Sequence, residues 1–223
     1  FFNMKIVDRL ICKTREKTNP WFAEYRRNRL NRTDFSIISN NCWAGSVYRY
    51  FGLQYSSPTE GLYFFPEDYI KFVSRLRHYL TSDIQFIEAR DSRHSHELAE
   101  KGEMSVPVGV IDDIEVIFLH YPTSEEAKEK WIRRSARVNW DNLFIKFSQM
   151  NGCSQDALQQ FDDLPFANKI CFTASLMPQL KCASFFKGFE DSSQGILNDT
   201  DRFDKSFNLT RWLNREPVPY ELG

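Results

Sequence analysis

Apolar residues recur along the chain at two periods, and the changes of period mark its elements. Phe35-Ser-Ile-Ile-Ser39 is a compact β-branched run and predicts a buried strand. From Cys42 to Phe51 the period lengthens. Trp43, Val47 and Phe51 recur every four residues and Gly52 supplies a stop, so a helix is predicted. Gly61-Leu-Tyr-Phe-Phe65 predicts a second strand. Pro66-Glu67-Asp68 opens a helix with proline early and acids in its first turn. Tyr69, Phe72, Val73, Leu76 and Leu80 give that helix one apolar face. Ile84 to Ala89 predicts a third strand. Val106 to Tyr121 carries two β-rich runs around Asp112-Asp113 and predicts a hairpin. Thr123 or Ser124 then caps a helix reaching about Val138. The pattern continues with a strand (Phe144 to Phe147), a helix (Ser154 to Phe161) and two strands (Lys169 to Thr173, Cys182 to Phe186). A closing helix runs from about Phe203 to Leu213.

Strands separated by helices point to an α/β fold: a mixed β-sheet flanked by helices, with a β-hairpin insertion. The pattern predicts a basic amphipathic N-terminal arm over 1–33 and a single α/β domain over 34–223. In the arm, Ile6, Val7, Leu10 and Ile11 form a short apolar stripe beside Lys5 and Arg9, and Asn19-Pro20 interrupts it.

Charge sharpens that division. Residues 1–32 hold nine basic and three acidic residues, a net of +6, whereas the whole chain is −1; the remainder is therefore −7. Such an arm is suited to an anionic membrane surface, or it packs on the body or a second subunit. Nucleic acid is not expected, because the body is acidic and no recognised binding module is present. With 15% aromatic residues and little net charge the chain does not have a disordered composition. No apolar run approaches the roughly 20 residues of a membrane-spanning helix. The five cysteines form no C-x-x-C pair, which argues against a zinc ribbon or a disulfide framework. No secretory leader follows Phe1. A cytoplasmic location, peripheral at the inner face of the membrane, is the expectation.

Three segments carry candidate chemistry. Ser39 to Gly45 joins a strand to a helix start, whose free N–H groups suit phosphate or carboxylate. There Asn40 and Asn41 either cap the helix or bind a ligand, with Trp43 and Gly45 beside them. His120, next to Tyr121 at a strand end, is either a general base or a structural histidine. Lys130, Arg134 and Arg137 share one flank of a helix and form either a diphosphate clamp or a solvated face paired with Glu125, Glu126 and Glu129. Lys146 reaches the same site or snorkels. Thr59, in Ser57-Pro58-Thr59, is either simply part of a turn before a strand, the favoured reading, or a further ligand contact. No cofactor is predicted, since neither G-x-G-x-x-G nor a P-loop is present. No metal is predicted either: His94-Ser-His96-Glu97 lacks an evident third ligand, and the Asp112-Asp113 and Asp162-Asp163 pairs are not D-x-D.

Several of these segments, in this order, resemble a bacterial family, the one catalogued as domain of unknown function 1919. The resemblance rests on Ile38-Ser-Asn-Asn-Cys-Trp43 with Gly45, Ser57-Pro-Thr59, Pro66-Glu-Asp-Tyr69, Pro107-Val-Gly109, Asp112-Asp113, Phe118-Leu-His-Tyr121, and Trp131 with Arg133, Arg134 and Arg137. Asn139-Trp-Asp-Asn-Leu143, Asn151-Gly-Cys153 and Asn168-Lys-Ile-Cys-Phe172 extend it to most of the chain from about Phe35 to Leu213. It implies an α/β fold and the company of glycosyltransferases in capsule, exopolysaccharide or lipopolysaccharide gene clusters. The expectation is a glycosyltransferase-like enzyme binding a nucleotide sugar or other phosphorylated ligand, its diphosphate held by the Asn40–Gly45 helix start and Arg134/Arg137, with His120 as base. The alternative is a non-catalytic module that docks polysaccharide machinery at the membrane.

Overall fold

The computed structural model describes residues 19–200, 203 and 207–215. The apolar stripe at 6–11 and part of the expected closing helix lie outside them. In chain order the elements are α1 (19–27), β1 (Ser36–Ser39), α2 (Trp43–Phe51), α3 (Pro66–Ser74), α4 (Leu76–Thr81), β2 (Gln85–Ile87), α5 (Ser95–Lys101), β3 (Val108–Ile111), β4 (Ile114–Ile117), α6 (Ser124–Ser135), β5 (Leu143–Ser148), α7 (Gln155–Asp163), β6 (Lys169–Thr173), β7 (Ala183–Phe185) and α8 (Leu209–Leu213).

The fold is α/β, with its strands divided between two sheets. One is wholly parallel, in the order β1-β5-β6-β7; the other is antiparallel, in the order β2-β3-β4. Helices cover both faces of the parallel sheet, which is why β5 is buried at all six positions. Its side chains alternate between two cores. Ile37, Phe144, Ile170 and Phe172 pack with Val47 and Phe51 of α2 and Trp212 of α8. Ile38, Ile145, Phe147 and Cys171 pack on the other face with Tyr69, Phe72, Trp131 and Phe161. A smaller core of Tyr63, Phe65, Leu98, Val108 and Ile117 joins the antiparallel sheet to α5. At Gly109, in the middle of that sheet, a Cβ would lie 2.6 Å from Ile84 and 2.7 Å from Phe118, so a side chain there meets packed neighbours.

Three local expectations change. Residues 61–65 form no strand. Tyr63 makes a bridge to Ile117 of β4, whereas the next N–H, from Phe64, goes to the Asn40 carbonyl at 2.9 Å. The segment divides its backbone bonds between the two halves of the fold and belongs fully to neither. The helix expected from Pro66 to Leu80 breaks at Arg75 (φ −131°, ψ 42°), where the Ser74 hydroxyl turns back onto the Lys71 carbonyl. Residues after His94 form α5, which sequence pattern missed because Leu98 is its one buried side chain. No helix among the described residues is long and apolar enough to cross a membrane.

Candidate functional site

The carboxyl ends of β1 and β5 open onto a cleft of about 980 Å³, the position where open parallel sheets take ligands. Asn41, Cys42, Met150, Asn151 and residues 196–200 line one side; Tyr63, Phe65, His94, Glu97 and Lys101 line the other. Four glutamates (67, 97, 100 and 103) face it, and Lys101 is the one lysine or arginine among the described lining residues. The Lys101 ammonium lies 4.6 Å from the centre of the Tyr63 ring and donates to Asn151 Oδ1 at 2.7 Å across the cleft. Carboxylates, amides and aromatic faces suit a hydroxyl-rich neutral ligand. They repel a bare phosphate.

Beneath the Asn41 side is a fully buried ion pair, Lys146 with Asp199. Lys146 points to the α2 face because it lies between Ile145 and Phe147, both of which point the other way. Its ammonium also donates to Asn41 Oδ1 at 3.0 Å and lies 5.5 Å from the centre of the Trp43 ring. The Asp199 carboxylate accepts from Lys146, from the Ser148 hydroxyl and from Asn41 Nδ2 at 2.7 Å. Burial pushes the Lys146 pKa below its ordinary value, and the Asp199 charge opposes that shift. Every charge here has a partner, so the pair fixes the 196–200 segment to the sheet end.

The opposite wall holds a carboxylate–imidazole pair. Asp68, buried in the first turn of α3, meets His94 Nε2 at 2.7 Å and accepts from Arg93 and from the Glu115 N–H at 3.2 Å. His94 stacks on Phe65 with ring centres 3.9 Å apart. Asp68 and Phe65 together fix the ring at the cleft wall, and among the described residues Nδ1 has no hydrogen-bond partner. That arrangement can accept a proton from a bound hydroxyl.

A separate group surrounds Tyr55. Arg49 donates to the Tyr55 hydroxyl at 3.3 Å, Arg134 lies over the ring at 5.4 Å, and Arg137 donates to its carbonyl at 3.5 Å. Glu60 lies within this group. Its Oε1 accepts from Arg49 at 3.1 Å, and its Oε2 is buried with no hydrogen-bond partner among the described residues. Burial raises the Glu60 pKa, and Arg49, Arg134 and His120 oppose the rise. Gly45 makes room for this carboxylate, since a Cβ there would fall 1.3 Å from Oε2. The Glu60 carbonyl accepts from Tyr121 at 2.6 Å and from Arg134 at 2.9 Å.

A model of the family described as a domain of unknown function (DUF1919) matches residues 13–214. The chain belongs to that family. A Haemophilus influenzae protein described as an uncharacterized protein is 32% identical over 195 residues, which cover 84% of this chain and 88% of the relative. The family match reaches into the basic arm, further than the motifs quoted above.

In this DUF1919 chain the expected site residues gather at two places. Asn41 faces the cleft, whereas Gly45, Tyr121, Arg134 and Arg137 belong to the Tyr55 group, and His120, exposed, lies within electrostatic reach of Glu60. Neither arginine nor His120 lines the cleft. Asn40, Trp43, Thr59 and Lys146 are wholly buried and spend their side chains on the protein's own groups. Asn40 clamps the Ser148 backbone with both ends of its amide, at 3.0 and 3.1 Å. Thr59 holds the Ser39 N–H at 3.1 Å. Trp43 packs against Phe172, Phe203 and Trp212. Burial pushes the Cys42 thiol up to about 11, so it is no ready nucleophile. Among the described residues no group of three or more His, Cys, Asp or Glu side chains is arranged to hold a metal. Sequence reasoning missed Asp68, Glu60 and Asp199. Asp68 read as a helix-start acid, and nothing local marks the other two.

Proposed function

We propose that this DUF1919 chain is a transferase of bacterial surface-polysaccharide assembly that takes a phosphorylated sugar ligand in two parts. The sugar occupies the acidic, amide-lined cleft, and the phosphate lies on the arginines around Tyr55. One observation carries the reading: Arg49, Arg134 and Arg137 converge on a single tyrosine, while the N-terminal end of α2 places its cap residue Cys42 at the cleft and Gly45 at the arginine group. Arginine forks match phosphate oxygens. The polysaccharide context rests on the family resemblance. His94 is the base in this reading, ahead of His120, because it lines the cleft and Asp68 orients it.

Titration of the full chain with inorganic pyrophosphate and with nucleoside diphosphate sugars tests this. The Arg134→Ala/Arg137→Ala variant is expected to bind roughly a hundredfold or more weakly, each lost charge-assisted bond contributing about 1.5–3 kcal/mol. Glu60→Gln is expected to bind more tightly, since it removes the carboxylate from among the arginines. His94→Gln is expected to keep its affinity and lose turnover. Equal affinity in the wild type and the double arginine variant would remove the phosphate site.

A further inference from the structure

We infer that α1 is an interfacial membrane anchor, which lays its aromatic outer face among the headgroups of an anionic bilayer. This inference is independent of the cleft and of any reaction there. Successive residues of a helix turn by 100°, so Trp21, Phe22 and Tyr25 share an arc of about 100°, with Ala23 on the opposite side. The structure fits that geometry. Ala23 is buried against the body, whereas Trp21 is 85%, Tyr25 65% and Phe22 52% exposed. The described residues hold seven exposed large hydrophobic side chains, and three of them are on this one helix.

The cations divide the same way. Arg26 and Arg27 turn inward onto the last carbonyls of α2, at 3.2 to 3.3 Å. Arg29 is exposed, with its guanidinium 6.0 Å from the centre of the Tyr25 ring. A packed amphipathic helix shows its polar side to water; α1 shows its aromatic side instead. Tryptophan and tyrosine favour the headgroup layer, where an apolar ring and a polar tip are both satisfied. The arm to which α1 belongs carries +6 over residues 1–32 on a body of −7. A bilayer with anionic lipid complements that arm and repels the body, so charge selects the occupant and the face together.

Co-sedimentation of the full chain with vesicles tests the anchor. The vesicles are phosphatidylcholine alone or phosphatidylcholine with about a third phosphatidylglycerol. The wild type is expected to pellet with the anionic vesicles and to be released as salt rises. The Trp21→Ala/Phe22→Ala/Tyr25→Ala variant is expected to bind about tenfold more weakly with its urea unfolding midpoint unchanged. Tyr25→Glu, a single exposed substitution, is expected to weaken binding in the same direction if the triple variant folds poorly. Three results overturn the inference. One is wild type that stays in solution with both vesicles. Another is full binding by the aromatic variants, which would leave the arm's cations as the sole attraction. The third is wild type that self-associates without lipid while the variants stay monomeric, which would make the face a contact between copies.

Discussion

Asn40 and Asn41 are neighbours with opposite tasks, because successive side chains at a strand end point to opposite sides. Asn40 turns inward onto the Ser148 backbone, and Asn41 turns to Asp199 and the cleft. The Lys146–Asp199 pair beneath them has the energetics of any buried ion pair. Its mutual attraction offsets two desolvation costs, and losing one partner leaves a charge with nothing to balance it. Asp199→Asn or Lys146→Met alone is therefore expected to cost about 3–5 kcal/mol in urea unfolding. The double variant is expected to recover a large share of that loss. Singles that each cost under about 1 kcal/mol would mean that the pair is open to water in solution. At this scale the sequence was half legible. Asn41 stood out at a strand-to-helix junction, and Lys146 as a cation within a strand. Asp199 did not, since it is 53 residues from Lys146 and its own neighbourhood, Asn198 to Thr200, reads as a polar loop.

Among the elements, the β3–β4 hairpin shows how a tip is tied down. Asp112 takes a positive φ of 52° at the turn, a conformation aspartate tolerates better than most residues. Its carboxylate meets His78 of α4 at 2.6 Å. Asp113 accepts from the Tyr79 hydroxyl at 2.6 Å and from Lys71 at 2.9 Å. The break at Arg75 lets α3 and α4 both reach the tip, Lys71 from one and Tyr79 from the other. The Tyr79 hydrogen bond, with Lys71 next, holds the Asp113 carboxyl down at about 2. A depressed carboxyl stabilises the fold above its unfolded value, near 4, and that contribution disappears as pH falls from about 4 to about 2. Asp113→Asn is expected to flatten the loss of stability across that window and to leave the curve above pH 5 parallel to wild type. Thermal melts at a series of pH values read both. Asp113 is largely exposed, so the effect is small. The strand and helix periods were legible here because each element buries a regular face. The break at Arg75 was not, since no proline or glycine marks it. Residues 61–65 looked like a strand because they are apolar throughout, yet their bonds go to two different partners.

For the whole molecule the question is how the basic arm is held relative to the cleft. The described part of the arm is docked. Asn19 and Arg26 donate to the Arg49 and Tyr50 carbonyls, and Arg27 donates to those of Phe51 and Gly52. These carbonyls belong to the last turn of α2 and its cap residue Gly52, where the helix dipole favours cations. A second tie follows: the Asn214 side chain, at the end of α8, accepts from the Asn31 N–H and donates to the Arg29 carbonyl, both at 2.8 Å. α1 is thus fixed to the C-terminal end of α2, whose N-terminal end borders the cleft. That arrangement gives the aromatic face one orientation relative to the cleft, so a membrane contact through α1 would present the cleft at a set angle. Arg26→Ala/Arg27→Ala removes the arginine bonds of the first tie and leaves the Asn19 bond, Trp21, Phe22, Tyr25 and the second tie in place. Hydrogen exchange is expected to rise about tenfold in peptides covering 19–30 and modestly in the last turn of α2. Protection in β5, at the centre of the parallel sheet, is expected to stay at the wild-type level. Vesicle binding is expected to persist, since the outer face of α1 is intact. Equal loss of protection in 19–30 and β5 would show instead that the arm and the sheet open as one cooperative unit, and that the arginine caps support the whole core.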